Sequence, residues 1–378
     1  MTHTRLLRSL LPVALFLAAC SAMKPALLST APAETPTFPP VAPPVPSAAP
    51  EGISQPTTAF APLQTPIPLE SIVRSLPATP LSTLPKEAVT NIAVAPDGAV
   101  WFSYGDFGAY LVSGGVYRYD GRDLTHFPNI LGDADDLGGS VQTLEVAPDG
   151  TVWAGARGKV ARFSGQSWQA ILTDCQCTSG LVSDFAFTPD GNVWIATMHN
   201  LFRFDGQSLS TYDRLANRLA VARDGSLWVS GWEGRQDSEY VARFDGANWT
   251  TYYMAESRQG WVGNIVPGPD GLLWGVARPC NHGACPFELA AFDGQSWTKH
   301  SVTVTPRTEF YIAAVAPDGA LWINTDIGLV RFDGKQWLAD RNALKAAAVA
   351  VAPDGSLWVG TYEGQVFHYE PTLVPVAP

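Results

Sequence analysis

The 378-residue sequence predicts an all-β chain folded into a closed ring of repeated four-stranded sheets. Three observations carry this. A phrase with the core Asp-Gly-x-x-Trp occurs seven times, ending at Trp101, Trp153, Trp194, Trp228, Trp274, Trp322 and Trp358. A second phrase follows it six times: Tyr119-Asp120-Gly121, Phe163-Ser164-Gly165, Phe204-Asp205-Gly206, Phe244-Asp245-Gly246, Phe292-Asp293-Gly294 and Phe332-Asp333-Gly334. The first-phrase aspartates recur at a mean step of about 43 residues, the length of one propeller blade. The expected architecture is a seven-bladed β-propeller of four-stranded blades, preceded by a lipoprotein signal peptide and a disordered Pro-rich tether.

Residues 1–20 read as a targeting segment rather than as fold. Arg5 and Arg8 give a positive start, Leu10 to Ala18 an apolar run too short to span a bilayer, and Leu17-Ala18-Ala19-Cys20 has the form of a lipobox. Cys20 is therefore the expected lipidation site. The stretch from Ser21 to Pro85 holds 16 of the 31 prolines, a single Gly and no Trp, so it lacks the means to bury a core. Residues 21–65 are expected to form the tether and residues 66–374 the propeller. Within 66–85, Leu69 to Leu76 is the candidate for a ring-closing strand, because the seventh repeat stops after a third strand at Val366–Tyr369.

Each phrase has a local reason. In Ala95-Pro96-Asp97-Gly98 the proline fixes φ, the aspartate bonds to nearby backbone and the glycine accepts positive φ, which together specify a tight turn. Apolar runs flank that turn on both sides, so it joins two strands buried on both faces. The Phe-Asp-Gly phrase is a second hairpin turn, and two hairpins make one blade. The recurring Trp is expected to fill the wedge between neighbouring sheets.

Net charge is −11 and basic clusters are missing, which argues against nucleic acid as a partner. In an exported chain Cys280 and Cys285 are expected to close a small disulfide loop; Cys175 and Cys177 sit too close together for the same reading. No metal site and no cofactor are expected from the spacings.

The repeats resemble those of bacterial two-component-regulator propellers, on Leu357-Trp358-Val359-Gly360-Thr361, Leu321-Trp322-Ile323-Asn324-Thr325 and Gly328-Leu329-Val330-Arg331-Phe332-Asp333-Gly334. That resemblance implies a propeller that senses a ligand outside the cytoplasm. Gly268-Pro269-Asp270-Gly271-Leu272-Leu273-Trp274 is more distantly similar to virginiamycin B lyase-like propellers. Their repeats often place a carboxylate three residues after the Trp. Here those positions are Tyr104, Ala156, Thr197, Gly231, Ala277, Thr325 and Thr361.

Both phrase turns of a blade fall on one rim, leaving the connections of variable length to the other. Trp232 and Trp261 are the two tryptophans outside both phrases, and both map to that variable rim. With Glu233, Arg235, Asp237, Arg258, Arg278 and His282 they form the candidate ligand-binding patch of blades 4 and 5, suited to a small carbohydrate or peptide. The functional expectation is a monomeric binding or interaction module for such a ligand or for another envelope protein, held at the outer face of a bacterial membrane only by its lipid. The alternative is a lyase or hydrolase with its site over the channel.

Overall fold

The computed structural model describes residues 74–75 and 87–375, apart from 106–114, 129, 131–140, 157, 173–180, 198–199, 234–237, 254–260, 269, 279–287, 301–309, 327 and 343. Cys20, Cys175, Cys177, Cys280 and Cys285 lie outside the described residues, as do residues 1–65, which carry the signal-peptide and tether expectations. The described residues all belong to one compact unit, Thr65–Pro378.

Its strands form seven antiparallel sheets, and the first six blades follow the chain. Their first strands are Ala88–Val94, Thr143–Val146, Val182–Phe187, Arg218–Val221, Trp261–Pro267 and Phe310–Val315, with Ala346–Val351 opening blade 7. Each first strand packs against the first strands of both neighbouring blades, and blade 7 packs against blade 1. A closed cycle of that kind places these seven strands innermost, around a central axis.

The first phrase builds the same turn in every blade. The side-chain carboxylate of its aspartate accepts a hydrogen bond from the backbone N–H two residues on, as Asp97 does from Ala99 at 2.9 Å and Asp354 from Ser356 at 2.9 Å. The following glycine takes left-handed backbone, with φ of 83° at Gly98 and of 92° at Gly121 in the second phrase. In the second phrase Asp205 accepts from the N–H groups of both Gln207 and Ser208. Depressed proton affinity follows: those backbone donors and the Ser208 hydroxyl hold the Asp205 carboxyl at about 2.

The seven phrase tryptophans are all buried, and each sits in a separate core cluster shared between its own blade and the next. Trp101 of blade 1 packs on Phe163 and Trp168 of blade 2, with ring centroids 5.1 and 6.1 Å away. Trp194 of blade 3 meets Phe244 and Trp249 of blade 4 in the same way. The core is thus seven interblade wedges rather than one centre. An arginine that recurs in the third strand adds a lid: Arg118 and Arg203 lie over the rings of Trp101 and Trp194 while pairing with the turn aspartates Asp97 and Asp190.

Both chain ends take part in closure. Arg74–Ser75 supplies the outermost strand of blade 7, with Arg74 opposite His368 and Ser75 opposite Phe367. At the other end Leu373–Pro375 turns back onto blade 6 and pairs with Trp337–Asp340, giving that blade five strands instead of the four expected. The reason is an unpaired edge: the outer strand of blade 6 offers free backbone groups, and the tail that follows Tyr369 is apolar enough to cover them. Tyr369 Oη donates to Asp340 Oδ2 at 2.7 Å, which ties the two blades beneath that strand.

Candidate functional site

The seven innermost strands line a central cavity of about 700 Å³. Its wall follows a rule of the sequence. The residue ten before each phrase tryptophan lines it in every blade: Asn91, Thr143, Asp184, Arg218, Asn264, Ile312 and Ala348. In most blades a β-bulge falls beside that position, as between Val89 and Asn91 or Val182 and Asp184, and bulges of this kind re-aim side chains. Tyr362, from the turn joining the second and third strands of blade 7, also lines the cavity. That turn and the starts of the innermost strands lie on the rim opposite the phrase turns, so the cavity opens on the variable rim.

The polar groups of the wall are unevenly satisfied. Three donors reach backbone of the adjacent blade: Asn91 Nδ2 bonds Val141 O at 3.3 Å besides Ser103 Oγ at 2.9 Å, Ser183 Oγ bonds Ala216 O at 3.2 Å, and Tyr311 Oη bonds Ala346 O at 3.4 Å. Arg218 Nη1 donates to the carbonyl oxygens of Ser183 and Asn217, at 2.9 and 3.1 Å. Asp184 accepts the N–H groups of Phe185 and Leu219, at 3.0 and 2.8 Å. Glu145 differs: its carboxylate accepts no hydrogen bond from any described residue. The buried side-chain oxygen of Asn264 likewise has no partner among the described residues, and that residue takes left-handed backbone at φ 53°.

Glu145 also breaks the repeat. It is the cross-strand partner of Trp153, and in the other six blades that partner is Ala93, Ala186, Ala220, Val266, Ala314 or Ala350. By exposed area Glu145 and Asp184 are half-buried, because the cavity reaches them. Enclosure comes first among the causes that raise the proton affinity of Glu145, and the facing Asp184 carboxylate adds to it, with Arg218 opposing. Asp184 is raised too, again by enclosure, against the pull of Arg218 and its two backbone donors.

The expected rim patch is only partly placed. Trp232 and Glu233 end the second strand of blade 4, Leu227–Glu233, opposite Glu239 and Ser238. Trp261 opens the first strand of blade 5 and is the register partner of Arg278. The strands bearing Trp232 and Trp261 lie against each other. The side chains of these four, and Arg235, Asp237, Arg258 and His282 altogether, are outside the described residues.

Among the positions three after each Trp, Tyr104, Ala156, Thr197, Thr325 and Thr361 are buried within the blades and none lines the cavity. Tyr104 spends its hydroxyl on Gly364 O at 3.1 Å. The residues that do line the cavity were missed because the innermost strands read as simply apolar. The available signal was the polar exceptions in them, Glu145 above all.

No family model matches the chain, and no curated protein does. Solved structures do share the fold. A catalytically inactive variant of virginiamycin B lyase from Staphylococcus aureus with quinupristin superposes with TM-score 0.59 at 16% identity, over 80% of this chain and 99% of that one. The extracellular domain of BT3049 from B. thetaiotaomicron, assigned as a hybrid two-component system, gives 0.55 at 16% identity over 79% of this chain and 41% of that one. YCF48 bound to D1 peptide gives 0.54 at 14% identity, over 79% and 95%. Both propeller types that the repeats resemble are thus among the structural neighbours. At these identities the likeness is one of fold.

Proposed function

We propose that this protein is an extracytoplasmic binding module, lipid-anchored through Cys20, that takes a small polar ligand into the variable-rim mouth of its channel. The ligand classes in view are a carbohydrate or a peptide. The observation that carries the reading is the cavity wall: seven innermost strands contribute to it, and one of them breaks the repeat with a carboxylate, Glu145, that accepts no hydrogen bond from a described residue. A scaffold repeats what packing needs, so a residue that departs from the repeat at the axis is where a ligand requirement shows. Neighbouring propellers support the same use of the fold, since one is an extracellular domain and another is bound to a peptide. Trp232 and Trp261 sit on the strands of blades 4 and 5 that reach the same rim, and belong in this reading as a flanking aromatic surface.

The test is a thermal-shift screen of glycans and short peptides against the parent, Ala348→Phe, which narrows the channel, and the Trp232→Ala/Trp261→Ala double variant. Ala348→Phe should abolish the shift while its circular dichroism stays that of the parent. Hits that survive channel narrowing and vanish in the tryptophan variant would move the site to the rim.

A second reading is a lyase or hydrolase. It is favoured by the pair of enclosed carboxylates with raised proton affinity, which is the arrangement a general acid requires. Incubation with quinupristin, followed by mass spectrometry, decides that case: the binding reading expects intact compound, and cleavage lost in Glu145→Gln would replace it.

A further inference from the structure

Taking the channel as the binding site, the chemistry of its wall narrows the ligand. Asn91 Nδ2, Ser183 Oγ, Tyr311 Oη and Arg218 Nη1 are hydrogen-bonded within the protein, whereas acceptors remain among the described residues: both oxygens of Glu145, the side-chain oxygen of Asn264, and one lone pair on each oxygen of Asp184. Charge points the same way, with two carboxylates facing a single guanidinium that is hydrogen-bonded elsewhere. The incoming group should therefore donate and be positive. A divalent metal fits poorly, because among the described residues no three His, Cys, Asp or Glu side chains come together. An alkylammonium fits well: it brings three N–H donors and needs neither a third carboxylate nor a fixed coordination geometry.

We propose that Glu145 of blade 2 and Asp184 of blade 3 bind a protonated primary amine of the ligand at the channel mouth. Their placement on adjacent innermost strands lets one ammonium bridge two blades. Both carboxylates are half-buried in the channel wall, which strengthens an ion pair relative to a fully exposed one. The same enclosure keeps a proton on the pair near neutrality. An arriving ammonium replaces that proton, so binding releases H⁺ and tightens as pH rises through the range in which the pair ionises.

Three five-carbon probes that differ only in their ends give the test by titration calorimetry: cadaverine, 1,5-pentanediol and glutarate. Cadaverine should bind saturably, more tightly at pH 8 than at pH 6, and with an apparent enthalpy that differs between phosphate and MOPS buffers because a proton is released. Pentanediol and glutarate should bind at least tenfold more weakly. Glu145→Gln, isosteric and checked for an unchanged fold, should weaken cadaverine at least tenfold and remove the buffer dependence.

Failure of cadaverine to bind, equal binding of the diol or the diacid, or unchanged cadaverine affinity in Glu145→Gln would each overturn the amine assignment. If the diol or diacid binds and Ala348→Phe abolishes it, the channel stands as a site and only the amine is lost. If screen hits are untouched by Ala348→Phe, the channel reading fails as well. The pH dependence of the parent serves as a check that needs no variant.

Discussion

A phrase aspartate shows how one residue sets a turn, and how much each copy is worth. Asp224 accepts from Ser226 N at 3.0 Å, from Ser226 Oγ at 2.6 Å and from Arg243 Nη2 at 2.6 Å, whereas among the described residues Asp149 accepts from Thr151 N alone, at 2.9 Å. Asp224→Ala should therefore cost roughly 1–2 kcal/mol, and Asp149→Ala clearly less, since a typical net hydrogen bond is worth about 1 kcal/mol and the exposed ion pair adds little. Thermal denaturation of the two variants checks the order; equal losses would contradict it. Gly360 explains another part of the repeat, because a Cβ there would overlap the Val89 side chain of blade 1. Gly360→Ala is expected to lower stability by roughly 1–3 kcal/mol through overpacking at the blade 7–blade 1 contact. The channel pair makes a prediction of opposite sign to ordinary carboxylates. Glu145 and Asp184 hold protons more tightly in the folded chain than in the unfolded one, so stability present at low pH is lost as pH rises above the usual carboxylate range of about 4. The turn aspartates are depressed instead, and their contribution is already complete above that range. The melting temperature should hence fall between about pH 5 and pH 8 in the parent, and fall less in Glu145→Gln. Turn residues and wedge tryptophans were legible because their chemistry is local to four or five positions. Glu145 was not, since its oddity appears only when each tryptophan is matched with its partner across the strand pair.

At the scale of elements, the hairpins are written in the chain and the closures are not. A strand of three residues such as Leu373–Pro375 carries no periodicity, and its partner Trp337–Asp340 lies in the previous blade. Only the ring brings them together. Its end at a proline suits an edge position, where no further strand needs the missing N–H. The gap in blade 7, by contrast, is visible as a third strand with no turn behind it, and Arg74–Ser75 fills its outer edge. Two truncations separate these clasps. Removing residues 371–378 should lower the melting temperature by a few degrees, because blade 6 keeps four strands and loses only an outer cover and the Arg341–Thr372 backbone bond. Removing residues 66–80 should cost more, roughly 5 °C or above, because it leaves blade 7 with three strands and an open edge. A larger loss from the C-terminal truncation would reverse the assigned importance of the two.

For the whole molecule, closing the ring creates the site. No single blade has a pocket at the axis; the cavity exists because seven innermost strands face one another across it. This explains why the fold was legible and the site was not. Blade number and the two hairpins of each blade follow from a phrase repeated along the chain, but a channel wall takes one position from each repeat, spaced by about 43 residues, and shows no contiguous motif. Irregular features did draw notice in the sequence, namely Trp232 and Trp261, which stand out because tryptophan is rare outside the phrases. Asn91, Asp184, Arg218 and Asn264 do not stand out, yet they occupy one equivalent position of four blades. The central claim is that the ligand sits inside this channel. A crystal structure of the protein with the strongest hit of the ligand screen tests it most directly. Ligand density is expected within the channel mouth, in contact with Glu145 and Asp184; density on the outer rim beside Trp232 and Trp261, with the channel free of ligand, would overturn the channel site.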